Sequence, residues 1–151
     1  MRILAVGTRM PGWVTEAYSD YSKRLPAAVR PELTELPPAH RGAVDRALAD
    51  EAKRLLAAVD AQDFVVLLDE RGKSLTSVQL ATWLGERRQD GRDVALLIGG
   101  PDGFDPAVRA RANFVWSLSA LTFPHPLVRV LLLEQLYRAH ALLANHPYHR
   151  E

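Results

Sequence analysis

Two uninterrupted apolar runs, residues 64–68 and Val94–Ile98, constrain this chain more than any other feature. Each has the length of one strand and offers no polar residue to an outer face. Such strands are covered on both sides, as in a mainly parallel sheet between helices. A helical pattern at residues 77–88 separates them and supplies the crossover. The rest of the chain repeats the theme. Strands are predicted at residues 2–7, Glu32–Leu36 and 114–118. Helices are predicted at residues 13–25, 43–59 and from Pro126 to about Asn145, with a short one opened by Asp105-Pro106. The turn residues Asp69-Glu70-Arg71-Gly72 are expected to end the third strand. The order is βαβαβαβαβα, one α/β domain within 151 residues.

The final helix has two apolar arcs. Val128, Leu131, Leu132, Leu136, Ala139, Leu142 and Leu143 fill the wider one, and Val130, Leu133, Tyr137 and Ala144 the narrower. Arg129 and His140 separate them on one side, Glu134 and Arg138 on the other. One arc is expected on the sheet and the second against another subunit. Trp13 and Trp83, at helical spacing among apolar neighbours, are expected in the core.

Composition narrows the function. A net charge of +1 announces no polybasic binder, and the modest positive excess is C-terminal. With no cysteine, disulfides, thiolate metal sites and cysteine nucleophiles are excluded. No stretch approaches a membrane span, and the opening run is too short for a secretory leader, so a cytoplasmic protein is expected.

Three segments could carry chemistry. Gly99-Gly100-Pro101-Asp102-Gly103 follows a buried strand, where open α/β sheets bind ligands. It matches neither a dinucleotide fingerprint nor a phosphate loop, and its acids favour a neutral or cationic ligand; a plain chain-reversing turn is the alternative. The segment from Ser117 to Pro126 could hydrogen-bond an adenine edge and wall it with Leu121 and Phe123, or simply start a helix. The tail Asn145-His146-Pro147-Tyr148-His149-Arg150-Glu151 gathers proton-transferring, stacking and phosphate-binding side chains at an end that usually frays. A metal site on His140, His146 and His149 would have only Glu151 as a carboxylate, so none is expected. His40 and Arg41 are read as residues that precede a helix, and Asp69 and Glu70 as solvated turn acids.

These segments also resemble a known family. Residues 96–103, Ser117-Leu118-Ser119, residues 122–129, Glu134-Gln135-Leu136-Tyr137-Arg138-Ala139 and residues 145–150 are similar, in order, to the RlmH family. Residues 5–8, 10–13 and 91–93 match as well. These are bacterial large-subunit (23S) rRNA pseudouridine N3-methyltransferases of the SPOUT superfamily. Asp102 stands where Glu is expected, and Phe104 and Phe123 where Leu is expected.

The resemblance implies an α/β fold with a C-terminal trefoil knot, a homodimer built on the knot helices, and S-adenosylmethionine as cofactor. It implies a cofactor pocket of Leu68, Gly99, Gly100, Ser119, Ala120, Leu121, Thr122, Phe123 and Pro124. The substrate would be 23S rRNA in assembled ribosomes. His149 or Tyr148 would position a base or relay the N3 proton, and Arg150 and Arg129 would stabilise phosphate or anion. The alternative is a non-catalytic ribosome-binding factor of the same fold.

Overall fold

In the computed structural model, which describes residues 1–40 and 42–150 without the side chains of His149 and Arg150, the alternating pattern becomes one five-stranded sheet. Arg41, expected before a helix, and Glu151 lie outside the described residues. The elements are β1 (Arg2–Val6), α1 (Gly12–Arg24), β2 (Glu32–Leu36), α2 (Val44–Ala57), β3 (Phe64–Ser74), α3 (Ser77–Asp90), β4 (Val94–Ile98), α4 (Pro106–Arg111), β5 (Phe114–Ser117) and α5 (His125–Leu143), then a turn at Pro147–Arg150. Strand order is β2-β1-β4-β3-β5, and every pairing is parallel.

Period-two alternation assigns each strand residue to a face. Ile3, Ala5, Val66, Leu96, Ile98 and Trp116 pack with Leu80 and Leu84 of α3 and with Leu132, Leu133 and Leu136 of α5. Leu4, Val6, Val65, Leu67, Ala95 and Leu97 meet Ala52 and Leu55 of α2 and Phe104 and Val108 near α4. Each fully buried Leu, Ile or Val contributes about 1.5–3 kcal/mol, so the two-sided cover decides the fold. Local signals agree at several ends. Asp105 caps α4 by accepting from the Ala107 amide at 2.8 Å. A Thr76–Gln79 capping box starts α3.

Four expectations need correction. First, β3 does not stop at Leu68. It passes an irregularity between Leu68 and Lys73 and rejoins β5, with Lys73 beside Trp116. A Cβ on Gly72 would lie 2.7 Å from the Val115 carbonyl group and 2.8 Å from the Trp116 carbonyl carbon. Gly72 is therefore a close-approach residue rather than a strand terminator.

Second, Arg129 does not separate two arcs of α5. It is 1% exposed and lies within one continuous buried surface from Ala139 and Leu132 through Leu136 to Leu133. α5 lies between α1 and α3, so Leu133 of the narrower arc is covered inside the subunit. Leu127, Val130 and Leu131, on the opposite side of α5, are half-covered.

Third, Trp13 is 55% exposed at the first turn of α1. Trp83, in contrast, is half-buried between Phe64 and Phe114, with ring centroids 6.2 and 5.9 Å away. Fourth, α5 ends at Leu143; Asn145 has φ 53°, and the His146 amide returns to the Ala141 carbonyl at 2.8 Å.

Candidate functional site

The carboxyl ends of β3, β4 and β5 open onto one cavity of about 310 Å³. That lies within the range of small-molecule sites. Because the strands are parallel, the loops that follow them necessarily lie on one edge. Its walls come from Leu68–Arg71 after the apolar part of β3, the glycine loop after β4, and Leu118, Ser119 and residues 121–123 after β5. His125 and Val128 of α5 close it.

The glycine loop is tightly folded. A Cβ on Gly99 would stand 2.8 Å from the Gly103 carbonyl oxygen, so the reversal requires glycine. The Gly103 amide donates to the Gly100 carbonyl at 3.1 Å. Behind Gly100 lies the buried carboxylate of Glu51, which accepts from the Ala39 amide at 3.1 Å. In the loop after β5, the Ser117 hydroxyl donates to the Ser119 carbonyl at 2.7 Å, and the Ser119 hydroxyl accepts from the Leu121 amide at 3.0 Å. The Thr122 hydroxyl donates to Glu70, tying that loop to β3. Glu70 and Asp69 are thus engaged, not merely solvated turn acids. Asp69 accepts from Arg109 of α4 at 2.5 Å. Burial alone raises the Asp69 carboxyl pKa, but the Arg71 amide and then Arg109 more than reverse this and hold it below the usual value.

The wall is therefore apolar at Leu68, Leu118, Leu121, Phe123 and Val128, with acids Asp69, Glu70 and Asp102 around it. Arg109, one of two arginines in the lining, is paired with Asp69. His125 adds no positive charge near neutral pH. Burial lowers its pKa, the nearby Arg129 lowers it further, and Glu51 opposes both. Below its unfolded value near 6.5 the unfolded chain takes this proton first, so stability falls with pH until the folded-state value is reached. In an NMR titration the His125 ring should protonate below pH 6.5, and His125→Gln should flatten this part of the acid loss.

The comparisons with known proteins fit this edge-sited cavity. A family model described as "Predicted SPOUT methyltransferase" matches residues 1–149. The chain belongs to the SPOUT methyltransferase family. Several relatives of this SPOUT chain are named "Ribosomal RNA large subunit methyltransferase H". The protein of Thioalkalivibrio sulfidiphilus is 51% identical over 154 residues, covering 100% of this chain and 99% of the relative. That of Chromohalobacter salexigens is 53% identical, covering 99% of each. That of Hydrogenovibrio crunogenus is 49% identical, covering 100% of this chain and 99% of the relative.

Within this SPOUT chain, Leu68, Gly99, Gly100, Ser119, Leu121, Thr122 and Phe123 all line the cavity. Ala120 and Pro124 do not. Ala120 is exposed, and Pro124 starts α5, its carbonyl accepting from the Leu127 amide at 2.9 Å. Arg129 is a further correction. Rather than facing an anion, its guanidinium donates to Glu35 and to the carbonyls of Val6 and Gly7, at 3.2 and 2.6 Å for the latter two. A cation embedded there ties α5 to the ends of β1 and β2.

The tail lies elsewhere in the SPOUT subunit. The Tyr148 ring packs on Tyr137 with centroids 4.6 Å apart, and its hydroxyl donates to Glu134 at 3.2 Å. Burial, then a bond with Tyr21, and the Glu134 charge raise its pKa well above the ordinary tyrosine value. In this arrangement the Tyr148 hydroxyl is a donor to Glu134. The His149 and Arg150 side chains lie outside the described residues. Among the described residues, no group of three or more His, Asp or Glu could hold a metal ion. No helix there is long and apolar enough to cross a membrane.

Two residues of the site, Arg109 and Glu51, carry no mark in the sequence. Arg109 looks like the basic last turn of a short helix, and only the parallel β3–β5 pairing brings it to Asp69. Glu51 belongs to the polar pattern of α2, and no local signal marks it as buried.

Proposed function

We propose that this chain methylates large-subunit (23S) rRNA, transferring a methyl group from S-adenosylmethionine to N3 of a pseudouridine in the assembled ribosome. The observation that carries the reading is the meeting of three strand-end loops around one apolar cavity ringed by carboxylates. The relatives' printed names supply the RNA class. The residues suit the cofactor. Apolar walls at Leu118, Leu121 and Phe123 fit an adenine, and Asp69, Glu70 and Asp102, set against Arg71 and Arg109, leave the lining net negative for a sulfonium and an ammonium. Bound S-adenosylmethionine supplies an electrophilic methyl group.

The protein's residues do the rest. The glycine loop and the Ser119–Phe123 segment orient the cofactor, and a neutral His125 adds no further positive charge against it. The N3 proton must leave in or before the transfer, and the resulting anion needs a donor or cation. His149 relays that proton, Tyr148 donates and positions, and Arg150 holds phosphate. Arg129 is a positioning residue. Tyr148 meets α5 at Glu134, nine residues from His125 and about 13 Å along the helix axis from its own cavity. The tail of one subunit therefore completes the cavity of the other in a homodimer. The half-covered Leu127, Val130 and Leu131 on α5 support that contact. A C-terminal trefoil knot is supported by the family membership and by the path of the chain from the β5 edge back to α5 between α1 and α3. With ribosomes as substrate, the work is cytoplasmic.

Transfer from methyl-labelled S-adenosylmethionine to ribosomes lacking the modification tests this. Label in large-subunit rRNA is expected. Cofactor binding without transfer would overturn the reading in favour of a non-catalytic ribosome-binding factor.

A further inference from the structure

At the opposite, amino-terminal edge of the sheet lies a second cleft of about 290 Å³. Arg30, Arg87, Arg88 and Arg92 line it against a single carboxylate, Asp93, over a floor that includes Leu84 and Leu136. In a chain with net charge +1 this is a concentrated surplus. The last turn of α3 accounts for Arg87 and Arg88 as favourable partners of a helix carboxyl end. It does not account for Arg30, which follows α1, or for Arg92, which precedes β4.

The pairing is uneven. Asp90 at the rim holds Arg87 at 3.1 Å and Arg92 at 2.7 Å. Asp93 pairs with the terminal ammonium at 3.2 Å. Arg30 and Arg88 have no carboxylate partner among the described residues. Arg30 donates to the Leu25 carbonyl at 2.9 Å, and Arg88 meets only the His140 ring nitrogen, at 3.3 Å. Two planar, forked guanidiniums from separate segments thus retain donors for the paired oxygens of a phosphate.

We propose that this cleft is a phosphate-binding site that docks a backbone phosphate of the RNA substrate, with Arg30 and Arg88 as its principal donors. It rests on the reading that rRNA is the substrate, and it adds a contact remote from the methyl-transfer cavity. Such contacts set register and affinity without reading sequence.

The test uses the full chain, wild type against Arg30→Gln/Arg88→Gln, with Arg88→Lys alongside. Co-sedimentation with ribosomes across a salt series reads binding without requiring activity. Binding by the double variant should weaken about tenfold near 0.1 M salt, with a log–log salt slope shallower by about 1–2. Arg88→Lys should fall between. KM for ribosomes should rise with kcat, S-adenosylmethionine affinity and Tm unchanged. Wild-type affinity and slope in the double variant would overturn the proposal, as would a joint fall of kcat and Tm, which marks a purely structural role. Inorganic phosphate shifting the Arg88 Nε resonance while ribosome binding stays unaltered would assign the cleft to a free phosphate ligand and overturn the RNA docking. If the wild type transfers no methyl group, the functional reading fails by itself, and the co-sedimentation comparison still decides the cleft.

Discussion

Replacing Arg129 with methionine is expected to destabilise the protein by about 2–4 kcal/mol, because it removes a buried guanidinium that bonds two backbone carbonyls and the 36% exposed Glu35. The guanidinium is 1% exposed and joins Glu35 of β2 to the Val6 and Gly7 carbonyls at the end of β1. Methionine fills much of the volume but leaves both carbonyls without this donor. Glu35→Gln should also cost about 2 kcal/mol: its amide oxygen still accepts and Arg129 keeps its two carbonyls, but the buried cation loses its counter-charge. Urea unfolding of the two variants reads this directly. A loss for Arg129→Met below about 1 kcal/mol, the net worth of one ordinary hydrogen bond, would refute the tie. Arg129→Met should also raise the His125 pKa, since that charge helps keep the ring neutral.

Gly72→Ala is expected to be nearly as damaging. The new methyl would stand 2.7 Å from the Val115 backbone, where no flexible side chain can yield. β3 and β5 must separate or β3 must bend, at a cost of about 3 kcal/mol. The damage spreads to function, because Thr122 and Glu70 join the loop after β5 to this part of β3. Calorimetric titration should show S-adenosylmethionine affinity falling at least about tenfold, roughly 1.4 kcal/mol, even where the variant remains folded. An unchanged affinity and Tm would mean that the close approach has no energetic weight.

These two residues also show where the fold is legible in the sequence and where it is not. A mainly parallel sheet follows from the apolar runs in β3 and β4, because strands without a polar face need cover on both sides. The start of α4 follows from Asp105-Pro106, and the cavity loops from their place after parallel strands. Gly72 reads as a terminator because Asp-Glu-Arg-Gly is ordinary turn chemistry. Only the pairing with β5 reveals a strand passing through it. Arg129 reads as a boundary because a charged residue between two apolar arcs is normally solvated. Its burial depends on Glu35, 94 positions earlier. Trp13 carries an apolar ring at a helix start, and nothing local says that the sheet never reaches it. The cavity lining is legible where loop position determines it, as at Gly100 and Phe123, comes from the family resemblance alone at Leu68, and is illegible where tertiary ion pairs set it, as at Asp69 and Arg109.

The most direct test of the central claim is nucleotide-resolution mapping of the methyl group. Purified protein and labelled S-adenosylmethionine are incubated with ribosomes that lack the modification, and the large-subunit rRNA is digested and resolved by mass spectrometry. The account predicts one methyl group per large subunit, on N3 of a single pseudouridine. Label on another base, on ribosomal protein, or nowhere while the cofactor binds would contradict it.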